Sequence, residues 1–481
     1  MMDMLIKIMS ILGITRIIKV VLRSIAEKGC TWPFVFISTK IIQEVKTKDE
    51  NASKYKPTIL VLISSKFRGD EIEMLSGRFR VLKMPFEWQA LILQIFWPSK
   101  IDYDWGKYFS AEDNVNSIDD NDRSMFKSQK DLRVFLKSFL SSLFKQLSID
   151  CVLGAAFYYR QDYDWGLVSE ELGVPYIIIQ SDRITGASDM DYVINKKIKR
   201  CHKFVGSHII VQDNLSKEAL IKAGYIRPDK VSFLGLPRMD GFVKKVKQSN
   251  KSYFNRKIDN RRPKVTLFSF IPVCGGIKLK YGLRGNFQEQ REVGYQKLFE
   301  NVHVAITRLA EQNREIEFVI KTKWKGTWLD NIENMCKRSG YDVNNINNLT
   351  ITDSIDTHQL IFDSDVICAF SSTTLLEAGI AGKPVIVPLF DEALKPEYQK
   401  SLSFYECYQL FDCAGSMSEF ENLILKRIND PGQKVAKEFM EKKYEMFEKY
   451  ISSMEGNSSD KYIELVSHII ECNKGINNDL Q

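Results

Sequence analysis

Short apolar runs, most of them rich in Val, Ile, Leu and Phe, recur along this chain with longer helix-like stretches between them. In the first half they are Thr58–Ser64, Arg78–Met84, Asp150–Phe157, Pro175–Gln180, Ser207–Gln212 and Lys230–Pro237; in the second they are Lys264–Phe270, Glu317–Lys323, Asn348–Asp353, Val366–Phe370 and Pro384–Pro388. Runs this short and this apolar suit strands buried on both faces, and their alternation with helical stretches predicts parallel sheets covered by helices. The expected fold class is therefore α/β, with two doubly wound Rossmann-like domains facing a cleft.

Breaks in the pattern set the expected boundaries. The stretch Val243–Lys264, "VKKVKQSNKSYFNRKIDNRRPK", is polar and basic with few residues able to anchor a core, and reads as an inter-domain linker. The predicted organisation is an N-terminal domain over 1–242, a linker over 243–263, a second domain over 264–430, and charged helices over 431–481 that pack back across the domains. The acidic stretch Tyr108–Asp131 reads as a mobile surface loop. The pentapeptide "DYDWG" occurs at Asp102–Gly106 and again at Asp162–Gly166 in unrelated surroundings, which is no sign of a repeat.

The first thirty residues are apolar but carry Lys7, Arg16, Lys19 and Arg23, too many charges for a spanning helix, and they lack a small-residue cleavage site. On a helical wheel Arg16, Lys19, Arg23 and Glu27 share one face, so this helix either lies on an anionic inner leaflet or packs on the N-terminal domain. Nine scattered cysteines without a CxxC pair suit reduced thiols in a cytoplasmic protein, and five histidines show no metal-ligand spacing. At 481 residues and a formal charge of +7, the chain suits an anionic small molecule or membrane surface better than nucleic acid.

Candidate chemistry gathers at the predicted strand ends of the second half. No GxGxxG follows the first strand and no GxxxxGK[ST] occurs, which removes the main support for dehydrogenase and P-loop readings. In "SDVICAFSSTTLLEAGIAGKPVIVP", Ser364–Pro388, the loop Ser371, Ser372, Thr373 precedes a short helix over Thr374–Ala381 that Gly382 ends. Its hydroxyls and the N–H groups of the helix start could hold a phosphate, and Glu377, one turn in, could accept hydrogen bonds from ribose hydroxyls. The same residues also suit a plain N-cap with an acid in the first turn. Gly275 and Gly276, with Lys278, Lys280 and Arg284 nearby, follow one strand, and Lys321 and Lys323 end another.

The run "LGLPRMD" (Leu234–Asp240), a polar linker, "FVIKTK" and then the Ser364–Pro388 segment together resemble the GT-B class of nucleotide-sugar glycosyltransferases. Within that class they are most similar to bacterial capsule and surface-polysaccharide enzymes, and to the related CDP-glycerol glycerophosphotransferases and UDP-GlcNAc 2-epimerases. The resemblance covers Val231 to about Phe390. It implies that Ser371, Ser372 and Thr373 hold the donor phosphate, that Glu377 takes the ribose, and that Gly235, Pro237 and Arg238 shape the cleft. Lys321 and Lys323 match a position where relatives often carry a basic or His-Pro motif; "KTKWKG" has no His-Pro, so a mechanism that depends on that histidine does not carry over.

The implied activity is transfer of a sugar from a nucleotide donor to a surface glycan, lipid-linked, by a cytoplasmic enzyme that needs neither metal nor cofactor, the nucleotide sugar being the substrate. On that architecture the "DMD" at Asp189–Asp191 and the "DYD" triplets are incidental. If the reaction inverts, a general base comes from the first domain, and Asp182, Asp162 and Asp164 are the candidates at strand ends. The expected partners are the donor, a glycan or glycolipid acceptor and, peripherally, the inner membrane. The rival readings are a CDP-polyol phosphotransferase, a UDP-sugar 2-epimerase and a non-catalytic nucleotide-sugar-binding protein.

Overall fold

A computed structural model describes residues 14–46, 56–62, 69–97, 120–180, 194, 198, 204–249, 261–272, 294–323, 327–399 and 402–479. The chain forms two units, one of Met1–Ile184, Asp191–Asp240 and Asn457–Gln481, the other of Thr185–Met190 and Gly241–Gly456. Each is built on its own sheet.

In the first unit the elements are α1 (Ile14–Glu27), α2 (Trp32–Ile41), β1 (Gln43–Glu44), β2 (Thr58–Val61), α3 (Gly69–Arg78), β3 (Arg80–Lys83), α4 (Phe86–Phe96), α5 (Asp120–Leu147), β4 (Ile149–Gly154), α6 (Arg160–Glu171), β5 (Tyr176–Ile179), β6 (His208–Val211), α7 (Asn214–Lys222) and β7 (Val231–Phe233). The strand order is β1-β3-β2-β4-β5-β6-β7. Every pairing is parallel except the edge pair of β1 with β3. All four residues of β2, of β5 and of β6 are buried, which is why these strands read as unbroken apolar runs rather than as an alternation.

The expectation of a mobile loop over Tyr108–Asp131 is corrected for its described part. Residues from Asp120 onward form the first turns of the 28-residue α5, with Gln129 buried and Lys127 paired to Asp131 at 2.8 Å. Polarity misled here because this stretch is the start of a helix whose later turns carry the apolar face, Leu132, Phe135, Leu136 and Phe139.

The second unit runs α8 (Asp240–Ser249), β8 (Lys264–Phe268), α9 (Gln296–Gln312), β9 (Glu317–Lys321), α10 (Thr327–Arg338), β10 (Leu349–Thr352), α11 (Thr357–Asp363), β11 (Val366–Ala369), α12 (Thr374–Ile380), β12 (Val385–Pro388), α13 (Pro396–Gln399), β13 (Asp412–Ala414), α14 (Met417–Asn429) and α15 (Lys437–Tyr450). Its order, β10-β9-β8-β11-β12-β13, is parallel throughout. The chain goes from β8 outward one way to β9 and β10, then returns to β8's other side with β11. This reversal is the topological switch point of a doubly wound sheet, and the crevice for ligands in such sheets lies at the carboxyl ends there.

The stretch read as a linker begins as structure. Phe242, Val243 and Val246 are buried on one face of α8, and this spacing makes a helix out of a segment whose overall composition is polar. The last helix, α16 (Ser458–Asp479), returns to the first unit and buries Tyr462, Val466 and Ile470 in the core formed with β2, α3 and β4. Both units are Rossmann-like, as the alternation of runs predicts.

Candidate functional site

The carboxyl edge of the second sheet is built by three adjacent strands. Phe268 of β8 pairs with Lys321 of β9 on one side and with Ala369 of β11 on the other. The segments leaving β8, β9 and β11 therefore start side by side at the switch point.

After β11 the chain turns at Ser371, which has φ +47, a left-handed conformation that costs a non-glycine residue free energy. Its hydroxyl accepts a hydrogen bond from the Ser403 backbone N–H at 3.0 Å. Ser372 Oγ lies 3.1 Å from Thr374 Oγ1 and 3.4 Å from the Thr374 nitrogen. All three loop residues, Ser371, Ser372 and Thr373, are half-buried. Two other left-handed residues adjoin this loop or its neighbouring strand end: Phe404, next to Ser403, with φ +62, and Asp391, three residues past β12, with φ +47. Among the described residues, the fourth such non-glycine is Ser148, before β4 in the first unit. Three of four strained positions thus gather around one sheet edge.

Glu377 sits on α12 one turn beyond the loop and is buried. His358, the second residue of α11, brings its Nε2 to 3.7 Å from Glu377 Oε2. Phe242 of α8 stacks on the His358 ring, with centroids 4.3 Å apart and planes 25° from parallel. Asp356 caps α11 by accepting from the Gln359 N–H at 2.8 Å, which fixes where His358 falls. Sequence reasoning found Glu377 but not His358 or Phe242. The only local signal was the capping Asp356, and it says nothing about which carboxylate the imidazole meets.

Lys321 is half-buried and donates to the Asp353 carbonyl at 2.9 Å and the Thr322 carbonyl at 3.2 Å, tying the ends of β9 and β10 together, whereas Lys323 is exposed. Ser269, just past β8, is buried and lies 2.9 Å from Nε2 of the fully buried His303. Nδ1 of His303 faces the Phe299 carbonyl at 2.7 Å. A carbonyl only accepts, so Nδ1 carries the proton and Nε2 accepts from the Ser269 hydroxyl. Burial pushes His303 down to about 4, so the ring stays neutral.

The remaining candidates belong to the first unit or lie outside the described residues. Asp162 and Asp164 stand on α6, both buried. Asp164 is held by Arg133 Nε at 2.6 Å and by Gln129 Nε2 at 3.4 Å, an ion pair that pins α5 to α6. Asp162 accepts from the Ala155 N–H and Gln89 Nε2, each at 3.4 Å, and its burial raises the carboxyl to about 8. Arg238 follows β7 in a short 3-10 turn; its guanidinium Nη1 is buried with no hydrogen-bond partner among the described residues. Gly235, at φ +83, gives its carbonyl to the Tyr462 hydroxyl at 2.9 Å, and Pro237 is buried. Asp182, Gly275 and Gly276 lie outside the described residues. Among the described residues, no group of three or more His, Cys, Asp or Glu could hold a metal ion, and no helix is long and apolar enough to cross a membrane.

No family model matches the sequence, and no curated protein matches it. Among solved structures, the chain is similar to UDP-GlcNAc 2-epimerase from Neisseria meningitidis bound to UDP-GlcNAc, with 15% identity and a TM-score of 0.42 over 86% of this chain and 100% of that one. It is also similar to a glycosyltransferase from Rickettsia africae, with 12% identity and a TM-score of 0.43 over 87% of this chain and 99% of that one. A third is Anabaena HepE in complex with UDP and glucose, at 14% identity and a TM-score of 0.39, covering 86% of this chain and 100% of that one.

Proposed function

We propose that this chain is a GT-B glycosyltransferase that holds a nucleotide-sugar donor at the carboxyl edge of the second sheet and passes the sugar to a surface-glycan acceptor. The observation that carries the reading is the strained, non-glycine backbone at Ser371, tied through Ser403 to left-handed Phe404, in a loop of hydroxyls that leads into a buried acid. Strain of this kind persists where the surroundings over-determine it, and it concentrates at ligand clamps.

In this reading the hydroxyls of Ser371, Ser372 and Thr373 surround the donor phosphates, and exposed Lys323 supplies positive charge to the phosphate that departs. Donors aimed at the leaving phosphate lower the barrier because its charge grows as the glycosidic bond breaks. Glu377 accepts from the ribose hydroxyls, and the imidazole of His358, stacked on Phe242, stands beside its carboxylate. The Asp164 carboxylate is taken by Arg133, and fully buried Asp162 is taken by Ala155 and Gln89 and keeps its proton to about pH 8, so of the three acids Asp182 is left as the candidate base.

Melting temperatures with CMP, CDP, UDP, GDP and their sugars test the reading. One nucleotide at about a hundredfold excess over its Kd should raise the transition of the second unit by roughly 5–10 °C. Ser372→Ala and Glu377→Ala should each remove most of that shift. If no nucleotide shifts the wild type, or the shift survives both substitutions, the reading is wrong. Product analysis then separates the rivals: a transferase leaves all phosphate on the nucleotide, a phosphotransferase carries one phosphate to the product, and an epimerase inverts the sugar with no acceptor.

A further inference from the structure

The first unit carries an apolar surface that its own fold does not use. On α2, Phe34, Val35 and Ser38 point inward and are buried. Trp32, Phe36 and Lys40, spaced four apart, occupy the opposite face, where Trp32 is 71% and Phe36 57% exposed. Lys40 Nζ lies 5.7 Å from the centroid of the Phe36 ring. On the preceding helix, α1, Val20 is 64% exposed, beside exposed Val21. A cleft of about 470 Å³ between these helices and α5 is lined by Arg23, Ala26, Thr31 and Val134, so 65%-exposed Val134 stands beside the turn that leads into Trp32. Of the eight large hydrophobic side chains exposed among the described residues, five belong to this region.

Charge accompanies the apolar surface. Residues 14–46 carry six Lys or Arg against two Glu, a net of +4 out of the +7 of the whole chain. Arg23, Lys28 and Lys40 are exposed, and of the acids Glu27 is already paired with Arg23 at 2.8 Å and Glu44 with Arg80 at 3.0 Å. A helix face with Trp at one end, Phe in the middle and Lys at the other has the chemistry of a bilayer interface: the rings sit among headgroups and the ammonium reaches the phosphates.

We propose that α1 and α2 form a docking surface for an anionic phospholipid bilayer, with Trp32 and Phe36 entering the headgroup region and Arg23, Lys28 and Lys40 meeting the lipid phosphates. Trp and Phe supply the apolar part of such binding and the cations its preference for anionic lipid. The positive balance selects this partner over a second copy of the chain, whose identical face would set like charges against each other. The inference does not depend on the reading of the donor site.

The test is co-sedimentation of the full chain with extruded vesicles of phosphatidylcholine alone or containing phosphatidylglycerol. Binding to the anionic vesicles is expected to be roughly tenfold stronger than to the neutral ones and to weaken with added salt. Trp32→Ser with Phe36→Ser should lower it roughly tenfold, because both rings leave the surface. Lys28→Glu with Lys40→Glu should abolish the preference for anionic lipid. Unchanged melting temperatures establish that the variants fold; should the double serine variant fail to fold, Phe36→Asp alone is read the same way. Equal binding by wild type and variants, no binding to either vesicle, or a wild-type dimer that Trp32→Ser with Phe36→Ser converts to monomer would each overturn the proposal.

Discussion

Tyr176 shows how little freedom single residues have in the first unit. Its fully buried ring lies between two glycines: a Cβ at Gly166 would come within 2.3 Å of ring carbons, and one at Gly154 within 2.3 Å of the hydroxyl oxygen. Gly166→Ala gains up to about 1 kcal/mol in helix propensity but forces the ring into occupied space, at a cost of about 3 kcal/mol, so the clash wins. Urea unfolding of the first unit should move to lower denaturant; an unchanged midpoint would mean that the ring has room to shift. This also gives the second "DYDWG" its account, since each of its five residues is buried, with Asp164 on Arg133 and Trp165 edge-on to Phe139 at 5.8 Å. Asp162 makes a pH prediction. The folded carboxyl titrates near 8 because of burial, against 3.8 as the ordinary value, so between these pH values the unfolded chain releases a proton that the folded chain keeps. Its contribution is fully present below about pH 4 and is lost as pH rises to about 8, by at most about 1.4 kcal/mol per unit. Asp162→Asn removes that loss, so its stability relative to wild type should climb from pH 5 to pH 8; parallel curves would refute the burial argument.

At the scale of elements, two helices are started by side chains from far away in the chain. Asp240 accepts from the backbone N–H groups of Ser458 and Ser459 at 2.9 and 2.8 Å, capping α16 from a position more than two hundred residues earlier. Glu392 does the same for α9 through Lys297 and Leu298 at 2.9 and 2.8 Å. A carboxylate on two free N–H groups at a positive helix end is worth about 1–2 kcal/mol. Asp240→Ala should therefore lower amide-exchange protection selectively in the first turn of α16. Equal protection in wild type and variant would show that water replaces the cap without loss. These caps also explain a limit of reading the sequence: Ser458 and Gln296 open their helices with no acid at the conventional capping position, because the acid arrives from elsewhere.

At the scale of the molecule, the last helix makes the first unit discontinuous. Tyr462, Val466 and Ile470 are buried in the core with Ile59, Val61 and Leu153. Burying three such side chains contributes about 5–9 kcal/mol, comparable with the whole stability of an ordinary domain. Truncation after Gly456 should consequently unfold the first unit while the second keeps its sheet, whose strands all precede Gly456. Limited proteolysis read by mass spectrometry checks this: truncation should open new cuts within 56–62, 69–97, 120–180 and 204–240 and leave 294–323 and 327–399 as in the full chain. Protection of both regions would show that α16 is dispensable.

The sequence by itself determined the central strands of both sheets, β2 to β12, the α/β class, and the strand-loop-helix unit that carries Ser371 and Glu377, because periodicity, β-branched runs and turn residues act over a few positions. It missed β1 and β13, edge strands of two and three residues that have no apolar run to announce them. Only the tertiary structure decided the strand order and with it the switch point between β8 and β11, where Phe268 has Lys321 and Ala369 as neighbours. It likewise decided that His358 meets Glu377 with Phe242 stacked on its ring, that Asp164 is consumed by Arg133, and that Trp32 and Phe36 are left outside. The physical reason is the same in each case. Whether a side chain is buried, paired or free depends on contacts between residues far apart in the chain, and local pattern holds no record of them.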